Sequence, residues 1–549
     1  MVENGIKIKI EEIGSIKHAS FNIKDLTGIL GLPNTGKGYV LRSIYWFFQL
    51  LDDKRYQEIK SMIRKNVLPD EVAKFEVTNM NKSIEEEIKN IVSEHVKAST
   101  HDNITLYNQE IELNYKLKSD GIMNIIKSVF KKTLTDYVNT GKLGAIKVNG
   151  KNINTLIKEA ISESPEGVKV YAEQDKRNVF TYFLARTGNP EEYYKISRAL
   201  RKYPLKVNPE NVKFNFSEKG ISANFNLKLI ADKNESNQII FGEPYITGRN
   251  PMLVYHDFPY TSIFISEMTS RIVDYLIDFY LTNLKSAILD ISGLSSVKFI
   301  PYGRNIIVQL FNNSAGDIYG PMEALDVLSN LKNAPFSTYF KWLNAGKSSL
   351  KDLDDDIKRF FEVIMRGNIE NDKNSGELKY RYSKDSSISL NLSSAMVEEI
   401  TGIMLPVISS DANDLIIIEE PEAQLHITTQ IIMGIFLIYI SRKMNIKIIF
   451  STHSDTMAFV IQHIITNNIK ESEIIELVKK IYKEEIPKDS FRALAKRPED
   501  ELVFYYIDKG NSQEVSENNM KNNIPGITDV IDDLFNWAFN SLKNDGDKN

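Results

Sequence analysis

Apolar positions open the chain in short runs: IKIKI (6–10), ASFNI (19–23) and LTGIL (26–30) read as three strands separated by polar turns. GYVLRSIYWFFQLL then spaces its apolar residues at helical intervals, so the order is strand, glycine-rich loop, helix. From 52 to 295 the pattern changes. Charged helical stretches such as DEVAKFEV and NKSIEEEIKNIVSEHVKA alternate with hairpin-like strands such as ITLYNQEIELNYK and VKFNFSEKGISANFNLKLI. With no fixed repeat and no long heptads, this region reads as a large α+β insertion. A helical stretch over about 321–367, a polar turn region NIENDKNSGE and a hairpin ELKYRYSKDSSISLNL follow. VEEITGIMLPVI leads into two continuous apolar runs, LIIIEE (415–420) and IKIIFS (446–451). Between them IIMGIFLIYISRKM is apolar nearly all round, the mark of a buried helix. Strand, helix, strand without alternation predicts an α/β fold with a parallel sheet covered on both faces.

At 549 residues, 42% hydrophobic and 26% charged, the chain exceeds the roughly 250 to 300 residues at which one core stops growing, so two or more lobes are expected. A net charge of -5 gives no global basic footprint, and any contact with nucleic acid would come from a local patch. The absence of cysteine excludes disulfides, thiolate metal sites, iron–sulfur clusters and a cysteine nucleophile. MVENGIKIKIEEIG lacks the apolar core of a signal peptide, and the longest pure apolar runs fall far short of the ~20 residues that span a bilayer. A soluble, cytoplasmic protein with no membrane partner is the expectation.

GLPNTGKG (31–38) stands one letter from the phosphate-binding pattern G-x-x-x-x-G-K-[ST]. In such a loop the glycines let backbone N–H groups curl around phosphate oxygens, the next helix presents its positive end, and the lysine reaches the β and γ phosphates. Gly31, Asn34, Thr35, Gly36, Lys37 and Gly38 are therefore the candidate nucleotide-binding residues; the other reading is a glycine-punctuated strand–helix turn. LIIIEEPEAQLH (415–426) places two carboxylates at the C-terminal edge of a parallel sheet, where such sheets bind ligands. Glu419 would hold Mg²⁺ through water and Glu420 would polarise an attacking water, although strands that run into acidic turns are common. His453 in FSTHSD follows the next buried strand, 33 residues beyond Glu420, so adjacent strands would deliver both side chains to one edge. There a γ-phosphate sensor competes with a structural hydrogen-bonder. Ser393 and Ser394 in NLSSAM either cap the following helix or contact a γ-phosphate held by another subunit.

In this order the motifs resemble the ABC-type AAA ATPases of the OLD and RecF-like group: GLPNTGKG as Walker A, LSSAM as signature, LIIIEEPEAQLH as Walker B running into the D-loop, and STHS with the switch histidine. VKFIPYGRN (297–305) is similar to the Pro-x-x-Arg segment upstream of the signature in that group. The resemblance implies ATP and Mg²⁺ as cofactors. It also implies a P-loop head of mixed parallel and antiparallel sheets split by a long insertion, and head-to-head dimers in which the signature serine of one subunit completes the other's site. DNA, RNA or a separately encoded effector such as a nuclease would be the further partner. The expected layout is a head in two parts, 1–51 and 381–470, an insertion 52–295, a linking segment 296–380 and a C-terminal extension 471–549.

Several positions depart from the group's pattern. Gly38 removes the hydroxyl that normally ligates Mg²⁺, Ala395 replaces a signature glycine, and Glu419 stands where Asp is commonest. Gln309 is a candidate Q-loop residue by position. The 96 residues after His453 contain no recognisable Glu and Asp-x-Asp set of a TOPRIM nuclease, and read instead as a strand ELVFYYIDKG, a helix ITDVIDDLFNWAFNSL and a disordered end. The zinc hook of long-armed repair ATPases needs cysteines and is excluded. An ATP-hydrolysing, dimerising switch is the leading expectation. A nucleotide-binding interaction protein with little turnover is the alternative, ahead of a transporter motor subunit.

Overall fold

The computed structural model describes residues 5–66, 76–78, 104–115, 119–162, 206–217, 220–231, 277–313, 336–372, 375–466, 469–482 and 502–515. Two compact units emerge, one formed by 1–56, 126–158 and 283–549, the other by 57–125 and 159–282. The predicted helices in NKSIEEEIKNIVSEHVKA and ITDVIDDLFNWAFNSL, most of DEVAKFEV, the disordered end and the start of the 321–367 stretch lie outside the described residues. The last two residues of DEVAKFEV, Glu76 and Val77, are strand and not helix, drawn into antiparallel pairing with Asn114 and Leu113.

Ten strands form the sheet of the first unit: β1 (Ile6–Ile13), β2 (Ile16–Ile23), β3 (Leu26–Leu30), β4 (Ile146–Val148), β5 (Lys151–Asn152), β6 (Val297–Ile300), β7 (Leu415–Glu419), β8 (Lys447–Ser451), β9 (Leu502–Asp508) and β10 (Asn511–Val515). Their spatial order is β6-β7-β8-β3-β9-β10-β2-β1-β4-β5. The half from β6 to β9 is parallel, and the pairs β9–β10, β2–β1, β1–β4 and β4–β5 are antiparallel. Burial follows the sequence pattern. Ile6, Ile8, Ile10 and Ile13 alternate with exposed polar residues on β1, whereas every residue of β3, β6 and β7 is buried, as befits strands covered on both faces.

Helix α1 (Lys37–Phe48) packs against β1, β6, β7 and β8. The segment from 304 to 408 supplies α2 (Arg304–Asn313), α3 (Phe336–Ser349), α4 (Asp355–Met365) and α5 (Ala395–Ile408). Asp354 caps α4 by accepting from the backbone N–H groups of Asp356 and Ile357. Helix α6 (Ile427–Met444) is long and apolar enough to cross a membrane by length and composition, yet it packs against β3, β8 and α4 with Ile432 through Arg442 buried. After it, α7 (Asp455–Thr466) follows β8. The all-round apolar pattern thus marks a core helix, as expected.

NIENDKNSGE is only partly a turn. Asn368–Asn371 is a strand paired antiparallel with Leu378–Arg381, which pairs in turn with Ser387–Ser389. Ile369 buries itself opposite Tyr380, and that long-range packing outweighs a composition rich in turn formers.

The second unit contains a four-stranded antiparallel sheet built from Glu76–Thr78, Ile104–Tyr115, Gly220–Ala231 and Lys206–Ser217. Both hairpin-like runs of the predicted insertion are therefore strands. The insertion is not continuous, however, because 126–158 lies with the first unit. Asn149 and Gly150, at φ 46° and 82°, turn β4 back into β5, and β4 extends the sheet beside β1. Tyr137 stacks on Trp46 at 4.1 Å between ring centres, with the Arg55 guanidinium 4.9 Å over the Trp46 ring.

Candidate functional site

Three adjacent parallel strands end together. Glu419, the last residue of β7, pairs with Ser451 of β8, and Ser451 pairs with Ile29 of β3. The chain leaves these strand ends as Glu420, as Thr452-His453 and as the glycine loop from Gly31. One sheet edge therefore collects residues from three distant parts of the sequence.

In the loop, Gly31, Asn34 and Gly36 have φ of 149°, 61° and 107°. A Cβ on Gly31 would lie 2.8 Å from the Ile507 carbonyl oxygen, and one on Gly36 2.5 Å from Ser15 Oγ, so both positions exclude a side chain. Thr35 closes the turn by donating its hydroxyl to the Leu32 carbonyl at 2.9 Å. Helix α1 begins at Lys37 with no side-chain cap, so its first N–H groups face the loop without a protein acceptor from the capping position. Lys37 is buried and donates from Nζ to the carbonyls of Gly31 at 2.7 Å and Leu32 at 2.9 Å. Burial brings its pKa down to about 8, against the opposing pull of the Glu420 and Glu422 carboxylates.

Glu419 is buried at the strand end, where one carboxylate oxygen accepts from the Tyr302 N–H at 3.2 Å and the other lies 3.6 Å from Arg42 Nε. Burial raises its pKa, with Arg42 the strongest opposing influence. Glu420 follows at φ 46°, an uncommon conformation for a side-chain-bearing residue. Backbone contacts hold it: its N–H donates to the Ser451 carbonyl at 3.1 Å, and its carbonyl accepts from Arg304 Nη2 at 2.8 Å and from the Ala423 N–H at 3.0 Å.

Arg304 is fully buried. Its Nη1 donates to the carbonyls of Pro301 at 3.0 Å and Glu419 at 2.8 Å, and its Nε makes an ion pair of 2.8 Å with Glu399. The Pro-x-x-Arg segment thus holds the peptide that carries both acids, a positioning role for its arginine.

His453 Nε2 lies 3.7 Å from Glu420 Oε1. Burial, then the Lys37 charge, lowers the His453 pKa, and Glu420 works in the other direction. The His453 N–H donates to Glu422 Oε1 at 2.6 Å. Sequence reasoning passed over Glu422, a buried carboxylate whose pKa burial raises. Its signal was the second acid of Glu-Pro-Glu, placed to reach back over the same strand end.

Ser393 and Ser394 take the capping geometry. Ser393 Oγ donates to the Leu390 carbonyl at 2.6 Å, and Ser394 Oγ accepts from the Val397 N–H at the start of α5. Within this one chain their hydrogen bonds are local. Gln309, on α2, donates its amide to the Glu398 carboxylate at 2.8 and 2.9 Å.

An uncapped helix start beside a buried lysine is a donor set suited to phosphate oxygens, and a Cβ-free cradle at Gly31 and Gly36 lets backbone approach them. For Mg²⁺ the edge offers Glu419 and Glu420, with no hydroxyl at position 38. A Cβ there would stand 3.6 Å from Glu419 Oε1, so position 38 faces the acid at ordinary contact distance. The residues fit a nucleotide with a hydrated cation.

No curated protein matches the chain in sequence. Among solved structures it is similar to the Smc head domain with an extended coiled coil bound to the C-terminal domain of ScpA, derived from Pyrococcus furiosus. That alignment has 11% identity, covers 94% of this chain and 97% of that one, and gives a TM-score of 0.27. A second is the Smc head domain with a coiled coil and joint from Pyrococcus yayanosii, at 10% identity, 94% and 98% coverage and a TM-score of 0.28. Residues 322–458, a span that holds Ser393, Glu419, Glu420 and His453, match the family model of an AAA ATPase domain.

Proposed function

We propose that the chain is an ATP-hydrolysing switch whose site lies where β3, β7 and β8 end. Convergence carries this reading: His453 Nε2 lies 3.7 Å from Glu420 Oε1, and the Lys37 charge bears on His453 as the Glu420 carboxylate bears on Lys37, although the three come from distant parts of the sequence. Lys37 exchanges the carbonyls of Gly31 and Leu32 for β- and γ-phosphate oxygens, and the N–H groups of Gly36, Lys37 and Gly38 complete the cradle. Glu420 accepts a proton from the water that attacks the γ-phosphorus as the bond to the bridging oxygen breaks and ADP leaves. His453, neutral through its lowered pKa, hydrogen-bonds the γ-phosphate. Bound Mg²⁺, held at Glu419, would neutralise phosphate charge.

Ser393 and Ser394 act on the nucleotide of a second copy, so that ATP closes a head-to-head homodimer of the OLD and RecF-like kind. That closure is passed to nucleic acid or to a separately encoded effector. Glu420→Gln is the direct test. It should keep ATP binding, slow hydrolysis by about 10² to 10⁴-fold, and accumulate as an ATP-bound dimer in light scattering. A variant that neither binds ATP nor changes its assembly state ends this reading.

Gly38 favours a second reading, a nucleotide-binding interaction protein with little turnover. Gly38→Ser has room, since the added Cβ meets only Glu419 at 3.6 Å. If the native protein is nearly inactive and the serine raises turnover to about 1 per second, the damped reading holds; brisk native turnover removes it.

A further inference from the structure

Gly38 and Arg42 stand four residues apart on α1 and so share one face of the helix, and both face Glu419. The usual arrangement at such an edge is a hydroxyl and a carboxylate that share a divalent cation. Here the hydroxyl is missing, the carboxylate side chain is glutamate, and a guanidinium Nε sits 3.6 Å from the same Oε1 that a residue-38 side chain would meet. The other oxygen of Glu419 is occupied by the Tyr302 N–H. A fixed cation thus stands beside the acid at the place where a bound metal would be ligated.

We infer that Arg42 serves as a built-in counter-cation for Glu419, so that nucleotide is held with only a weak requirement for a divalent metal. Without a cation a buried carboxylate would repel the incoming triphosphate. Arg42 cancels that charge and cannot be removed by a chelator.

The inference rests on the nucleotide site proposed above, and its test separates the two. Titration of the full chain with mant-ATP, once with excess Mg²⁺ and once with EDTA, gives two dissociation constants. The wild-type constant should rise by less than about tenfold in EDTA. Arg42→Gln should widen that ratio by at least about a further tenfold, with circular dichroism to verify its fold. A wild-type ratio above about tenfold, or a folded Arg42→Gln with the wild-type ratio, overturns the role of Arg42 while the nucleotide site stands. Absence of mant-ATP binding in both conditions overturns the site and this inference with it. Should Arg42→Gln fail to fold, the wild-type ratio still decides.

Discussion

Lys37 is the residue at which electrostatics and ligand binding meet most directly. Its pKa, about 8 in the fold against an ordinary 10.5, is lowered by burial. Below pH 8 it is protonated in both folded and unfolded chains, and the fold carries the full cost of a buried charge. Between pH 8 and 10.5 the unfolded chain binds more protons, so this residue's contribution to stability improves as pH rises. A triphosphate reverses the balance by restoring the favourable charge, so ATP binding near pH 8 should take up protons, and affinity should fall above that pH. Calorimetry at pH 8 in two buffers of different ionisation enthalpy measures the uptake; identical enthalpies in both would contradict it. Glu420 shows the same local tension in the backbone, since its left-handed φ is held by Ser451 and Arg304 rather than by its own preference.

At the scale of elements, α3 and α5 approach so closely that glycine is required at the crossing. A Cβ on Gly346 would come within 2.0 Å of the Leu405 carbonyl oxygen, and one on Gly402 within 2.7 Å of the Tyr339 hydroxyl, which itself donates to the Gly402 carbonyl at 2.6 Å. Gly346→Ala should therefore cost about 1 to 3 kcal/mol or more through overpacking, despite alanine's better helix propensity. Chemical denaturation reads that loss, and an unchanged midpoint would show that the crossing yields freely. Sheet elements were legible wherever burial is one- or two-sided over several residues, as in β1, β3, β7 and β8. The strand at Asn368–Asn371 was not, because one buried isoleucine in a polar run carries too little pattern. The β4–β5 hairpin left a legible mark in Asn149-Gly150, but its membership of the first unit depends on pairing with β1 and on the Trp46–Tyr137 stack.

For the whole molecule, the site is assembled from segments more than four hundred residues apart, so its ligand should report on the unit that contains it. ATP at 100 times its dissociation constant stabilises the binding-competent fold by about 2.7 kcal/mol, and thermal unfolding should move upward by a few degrees, by about 2 to 4 °C or more. Lys37→Ala should remove that shift without lowering the nucleotide-free transition, since it removes a buried charge. A shift that survives in the variant would place the nucleotide elsewhere.

Local pattern by itself determined the strand–loop–helix from Leu26 to Phe48, the buried strands that end at Glu419 and just before His453, and the core character of Ile427–Met444, because hydrophobic period and glycine placement act over a few residues. It also picked out the residues that meet at the sheet edge, since strand ends in a parallel sheet must project that way. Only the tertiary structure decided that Arg304 grips the peptide of both acids, that Glu422 fixes the backbone of His453, that Arg42 lies against Glu419, and that 126–158 rejoins the head. Each of these depends on contacts between residues far apart in the chain, whose partners are selected by packing and charge burial in three dimensions and leave no periodic trace along the sequence.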